Sequence, residues 1–210
     1  MEEHMSSHGI RLGGWLLLIG GLLSAVTILL PYLIVGPGGP GGVPVVPINV
    51  LSIIGALLLI GGLPAFYACQ AKQTGWVGLV GVVALGMTEL LLVVLRFFLI
   101  SLAISDTKGL PTSVLISILA VGIAQTISFI FLAIAIMRSR VFPIWLAWTL
   151  IASLVVGWVG FFLPNLVGTV LLSISDLLYY LSIARIGWLL ITQFANAAAK
   201  PPLSSLETTE

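Results

Sequence analysis

Six runs of predominantly apolar residues follow one another along this 210-residue chain, at about 14–35, 48–69, 76–103, 113–137, 142–163 and 166–191. The hydrocarbon core of a bilayer is about 30 Å thick, so an α-helix rising 1.5 Å per residue needs about 20 such residues to cross it. Six runs of that length in series constrain the chain more than any motif in it. Composition points the same way: 60% of residues are hydrophobic and 7% charged, and the mean hydropathy is +1.24. A soluble domain carries about a quarter charged residues, so this chain lacks the material for a water-facing shell and its outer surface must meet lipid. The runs show none of the alternation of barrel strands. The expected fold is an all-α membrane protein, a bundle of six transmembrane helices.

Three regions follow: a cytoplasmic N-terminal segment at 1–12, the transmembrane domain at 13–195 and a polar cytoplasmic tail at 196–210 that reads as disordered. Glu2 and Glu3 are unlike the basic start of a secretory signal, so the first apolar run reads as a retained span. The connections are short except for 36–47, GPGGPGGVPVVP. Proline removes amide donors there and glycine costs backbone entropy, so an extended linker is expected. Basic residues set the orientation. With an even number of spans, Arg11, Lys72, Arg138, Arg140 and Lys200 share one side, and the other has only Lys108 beside Asp106. Cytoplasmic loops are enriched in Lys and Arg, so both termini are expected inside. Trp15, Trp76, Trp145 and Trp188 fall near the same boundary. Segments 66–76 and 135–145 echo each other: small residue, basic residue, Gly or Pro, then Trp. Duplication of a helical hairpin and convergence on a common turn chemistry both explain that echo.

Helices in lipid associate through close packing and hydrogen bonds. Gly20 with Ser24 and Gly21 with Ala25 form a small-residue strip on span one; Gly78, Gly81 and Gly86 do so on span three, and Gly157 with Gly160 on span five. Pro31 and Pro64 are expected to kink or end their helices.

Polar residues at membrane depth are the candidates for function. Glu89 lies 13 residues past Trp76, about 20 Å along a helix. Asp176 lies ten residues past Leu166 and Gln125 twelve past Ser113, about 15 and 18 Å from the opposite boundary. All three therefore occupy the middle of the membrane on different spans. Thr169, Ser173, Asp176 and Tyr180 follow 4-3-4 spacing, which aligns them on one stripe of span six. Glu89 and Arg96 share a face, but about 10 Å of axial separation argues against a direct pair. Arg96 and Arg185 are expected to snorkel to the headgroups. Charged groups in a span mark interior positions. Two roles remain open for Glu89, Gln125, Ser173, Asp176 and Tyr180: a hydrogen-bond network between spans three, four and six, or a site for a proton, cation or small ligand.

Much chemistry lacks its residues. Cys69 is the single cysteine, and His4 and His8, both in the N-terminal segment, are the only histidines. No span carries a histidine pair for haem or a Glu-x-x-His diiron motif. The glycine-rich 36–42 segment lacks the Lys-Ser/Thr of a phosphate loop, and no Gly-x-Ser-x-Gly elbow or arginine ladder occurs. No cofactor, metal site or enzymatic activity is expected. A net charge of +1 without a basic run argues against nucleic acid.

The stretches 11–21 (RLGGWLLLIGG), 62–78 (GLPAFYACQAKQTGWVG) and 138–148 (RSRVFPIWLAW) resemble a broad set of uncharacterised six-span bacterial integral membrane proteins. The resemblance implies the architecture and a multi-pass protein of the bacterial plasma membrane, and it brings no activity or site residue with it. The expected function is non-catalytic: a structural or accessory subunit, or a bundle binding a small molecule or lipid. The alternative is a small proton- or cation-coupled secondary transporter using Glu89 and Asp176. Partners are the lipid bilayer and either other membrane subunits or further copies of the chain.

Overall fold

A computed structural model describes residues 7–35, 45–104 and 112–194. His4, the linker at 36–44, Lys108 and the tail from 195, with Lys200, lie outside the described residues. The described chain is α1 (Ser7–Val35), α2 (Val45–Ile104), α3 (Thr112–Ser139), α4 (Ile144–Phe162) and α5 (Asn165–Leu189), which continues as a π-helix over Leu190–Phe194. All five α-helices are long and apolar enough to cross a membrane. Large apolar side chains face outward as well as inward: Leu33 is 79% exposed, Phe162 75% and Trp76 69%. Soluble monomers rarely present contiguous apolar surface on that scale, so the helices point to a membrane protein.

Where the sequence reads as two helices, the structure has one element of 60 residues with a single break. Gly75 adopts φ 53°, ψ −133°, a region that residues with a Cβ avoid. The limbs on either side, 45–74 and 76–104, run back along each other. The Arg96 guanidinium (Nη1) donates to the Ser52 carbonyl at 3.0 Å, and Ile53, Ala56 and Val93 bury one another. Along an unbroken helix residues 52 and 96 would stand about 66 Å apart. Thus one glycine, rather than a loop at 70–75, turns the chain.

Of the two effects expected of the prolines, ending the helix does not occur. Pro31 and Pro64 lie inside α1 and α2 and end neither helix. Residues 45–47, read as linker, open α2, because a first helical turn tolerates a proline whose missing amide would have no partner. The turn from α3 to α4 also uses a positive φ, 51° at Arg140, whose amide donates to the Ile136 carbonyl. The two echoing segments thus share a left-handed residue shortly before a tryptophan. They differ in length of break: one residue at Gly75, four residues at 140–143.

Packing closes a ring. α1 sits between α2 and α5, α2 meets α3, α3 meets α4, and α4 meets α5. The glycine strip on α1 explains the tightest part. A Cβ on Gly20 would lie 2.8 Å from the Gly55 carbonyl oxygen, and one on Gly21 2.7 Å from that of Tyr180. Consecutive glycines therefore seat two different neighbours, the first limb of α2 and α5. Gly81 admits α3 to the second limb in the same way, 3.1 Å from the Leu132 amide. Gly14 against Gly187, Gly13 against Ala65 and the Phe66 ring against Phe142 at 5.3 Å gather the start of α1, the end of α5 and the two turns near 75 and 140 at one end of the bundle. Arg11, Lys72, Arg138, Arg140 and Arg185 are all exposed there.

Candidate functional site

Across the ring, α5 and α2 touch only lightly, and long side chains bridge the gap. The Tyr179 hydroxyl donates to Glu89 Oε1 at 2.9 Å. Arg96 Nη2 donates to the Tyr180 hydroxyl at 3.4 Å, while Nη1 holds the Ser52 carbonyl. Tilted ring contacts stiffen the bridge: Tyr179 lies 4.6 Å from Phe129 and 4.7 Å from Tyr180, centroid to centroid. Glu89 is 1% exposed, and among the described residues its Oε2 has no hydrogen-bond partner. Arg96 lies within Coulombic reach of both Glu89 and Asp176. One guanidinium thus sits among two carboxylates in a region where unpaired charge is expensive.

Beside this bridge, the second limb of α2 with α3, α4 and α5 lines a half-open cavity of about 260 Å³. Helical periodicity makes its wall. Gly122, Gln125, Thr126 and Phe129 recur at i, i+3, i+4 and i+7 on α3, and Leu154, Gly157, Trp158 and Phe161 do the same on α4. Leu172, Ser175, Asp176 and Tyr180 continue the lining on α5, as Leu92, Leu95 and Arg96 do on α2. The cavity's polar side chains include Arg96, Gln125, Asp176 and Tyr180, and the rings of Trp158 and Phe161 extend along α4 toward the α4–α5 turn. Two hydrogen bonds fix the wall: Trp158 Nε1 donates to Thr126 Oγ1 at 2.9 Å, and Ser175 Oγ to the Ser153 carbonyl at 2.6 Å. Glycine supplies the space. A Cβ on Gly122 would meet no atom within 4 Å.

The five sequence candidates separate into three groups. Gln125, Asp176 and Tyr180 share the cavity wall. Glu89 stands behind it, reached through the Tyr179–Tyr180 pair. Ser173 faces elsewhere: its hydroxyl is 2.7 Å from that of Tyr32 on α1 and donates to the Thr169 carbonyl. A stripe drawn on one helix cannot distinguish two neighbours that flank it, and α5 lies between α1 and α4. The snorkelling expectation for Arg96 is overturned as well. Its head turns inward because the Ser52 carbonyl and the Tyr180 hydroxyl offer acceptors there. Arg185, in contrast, is exposed. The signal for Arg96 was present in its two-turn spacing from Glu89; Tyr179 and Trp158 carry no comparable mark in the sequence.

Comparison of the chain with models of protein families, with curated proteins and with solved structures finds no match.

Proposed function

We propose that the protein is a non-catalytic, multi-pass protein of the bacterial plasma membrane whose bundle binds a small molecule in the cavity between α2, α3, α4 and α5. The observation carrying this reading is that cavity: apolar and aromatic over most of its wall, with a few convergent polar groups, the usual composition of a ligand site. Its volume of about 260 Å³ lies just below the usual range of such sites and suits a small ligand. Native purification followed by mass spectrometry tests it. A small molecule should accompany the parent protein and be missing from Gly122→Leu, whose side chain enters the open space. A parent with no bound molecule, or one retained fully by Gly122→Leu, contradicts it.

The same proposal includes six crossings with both termini in the cytoplasm. The return of the second limb of α2 along the first supports an even count, and the exposed arginines and lysine at one end support the orientation. In a Cys69→Ser background, an impermeant thiol reagent applied to intact cells should label a cysteine replacing Lys108 and spare one replacing Lys72. Labelling at position 72 from outside defeats the topology.

A second reading, a small proton- or cation-coupled carrier, is favoured by the free Oε2 of Glu89 and its proximity to Arg96 and Asp176. Glu89→Gln and Asp176→Asn should then leave a folded protein without flux in proteoliposomes. Flux equal to that of the parent in both variants contradicts it.

A further inference from the structure

Resting on the cavity reading, we propose that the ligand class is a monovalent organic cation with an apolar body, an amine or ammonium compound held with Asp176 as its counter-ion. The first argument is a charge count. Arg96 is the guanidinium within Coulombic reach of both Glu89 and Asp176, so it cannot neutralise both carboxylates at once, and Asp176 lacks a charge partner of its own whenever Glu89 is ionised. An anionic ligand would bring a third negative group to a single guanidinium. A cationic one restores balance in a medium of low dielectric constant, where balance matters most.

The second argument is access. Glu89 is fully buried and engaged by Tyr179, whereas Asp176 lines the cavity and is only half-buried. Asp176 is therefore the carboxylate that a ligand can meet. The two Arg96 nitrogens Nη1 and Nη2 donate to the neutral Ser52 carbonyl and Tyr180 hydroxyl, so no hydrogen bond ties the guanidinium to Asp176 among the described residues.

The third argument is the rest of the wall. Phe129, Trp158 and Phe161 line the cavity, and aromatic faces attract cations. The indole is held by its bond to Thr126 and packs against Phe161 at 5.7 Å and Phe162 at 5.9 Å. Leu92, Leu154 and Leu172 supply apolar contact for the remainder of the ligand.

Benzyltrimethylammonium and neopentylbenzene test the class, since they share a shape and differ by one charge. Binding of each is measured calorimetrically to the full chain in lipid nanodiscs, with empty nanodiscs subtracted. The parent should bind the cation at least about tenfold more tightly than the neutral isostere. Asp176→Asn should erase that preference, and Gly122→Leu should lose both probes while melting like the parent. Equal affinity for the two probes, abolished by Gly122→Leu, overturns the cation class and leaves the cavity reading intact. Preference for the cation that survives Asp176→Asn overturns the role of Asp176. Binding of neither probe by the parent, or binding that Gly122→Leu leaves unchanged, overturns the proposal together with the cavity reading.

Discussion

The seam around α1 and the cavity beside α4 are built from the same small residue used in opposite ways. At Gly20, Gly21, Gly14 and Gly187 the missing side chain lets another backbone in, with carbonyl oxygens under 3 Å from where a Cβ would stand for Gly20 and Gly21. At Gly122 the missing side chain leaves open space. The seam brings helices close enough for dispersion and weak polar contacts to hold them without a hydrophobic driving force. Across the cavity α2 and α5 touch only lightly, and hydrogen-bonded side chains bridge the gap: Arg96 and Tyr179 between α2 and α5, and Trp158 between α4 and α3. Cohesion and capacity to bind are thus assigned to different sides of one ring, with α5 serving both through Tyr180: its carbonyl oxygen faces Gly21 and its hydroxyl meets Arg96.

The sharpest way to break this contrast is one substitution made in both places. Gly21→Leu must displace the backbone of α5, and overpacking of that kind should cost about 3 kcal/mol or leave no folded protein. Gly122→Leu should melt within about 1 kcal/mol of the parent. Similar losses at the two sites, read by denaturation in one detergent, would erase the distinction. Next in size is Gly75→Ala. Nothing crowds a Cβ at Gly75, so the backbone alone opposes the change, and a loss of about 2 kcal/mol is expected from dihedral strain. An unperturbed melting temperature would show that the hairpin does not depend on this glycine.

The bridge sits between these extremes. Glu89→Gln preserves shape and an oxygen acceptor for Tyr179 but weakens a bond to a charged or shared-proton carboxyl group. Stability should fall by about 1 kcal/mol, the usual contribution of one hydrogen bond. A gain in stability would identify the carboxyl group as kept for function against the interest of the fold. Smallest of all, Gly122→Ala should raise stability by about 0.5–1 kcal/mol, because alanine loses less backbone entropy in a helix and meets no neighbour. A measurable loss there would mean that the cavity closes in the membrane.

Much of the seam was legible in the sequence because its signal is local. Apolar runs of crossing length and the Gly20–Ser24 and Gly21–Ala25 spacings need no knowledge of the neighbouring helix. Grouping was partly legible too: counting residues from the helix boundaries was enough to put Gln125 and Asp176 at a common level, and both line the cavity. Direction was harder. Asp176 and Ser173 are three apart on one stripe, yet one faces the cavity and the other Tyr32, since only the packing of α5 between two partners distinguishes them. Arg96 was misjudged because snorkelling depends on what lies outside a helix, and inward acceptors such as the Ser52 carbonyl appear only when the limbs of α2 fold together. The one-residue turn at Gly75 was hidden for a related reason. Glycine permits an unusual dihedral in many places, and tertiary packing selects where it is used.

Diffraction from crystals grown in a lipid phase with 4-bromobenzyltrimethylammonium bears most directly on the cavity. The bromine gives an anomalous signal that locates the probe independently of side-chain interpretation. A single peak should lie among Trp158, Phe161 and Leu172, with the ammonium group directed to Asp176. A cavity filled by its own side chains, or a bromine peak confined to the lipid-facing surface, would contradict the account.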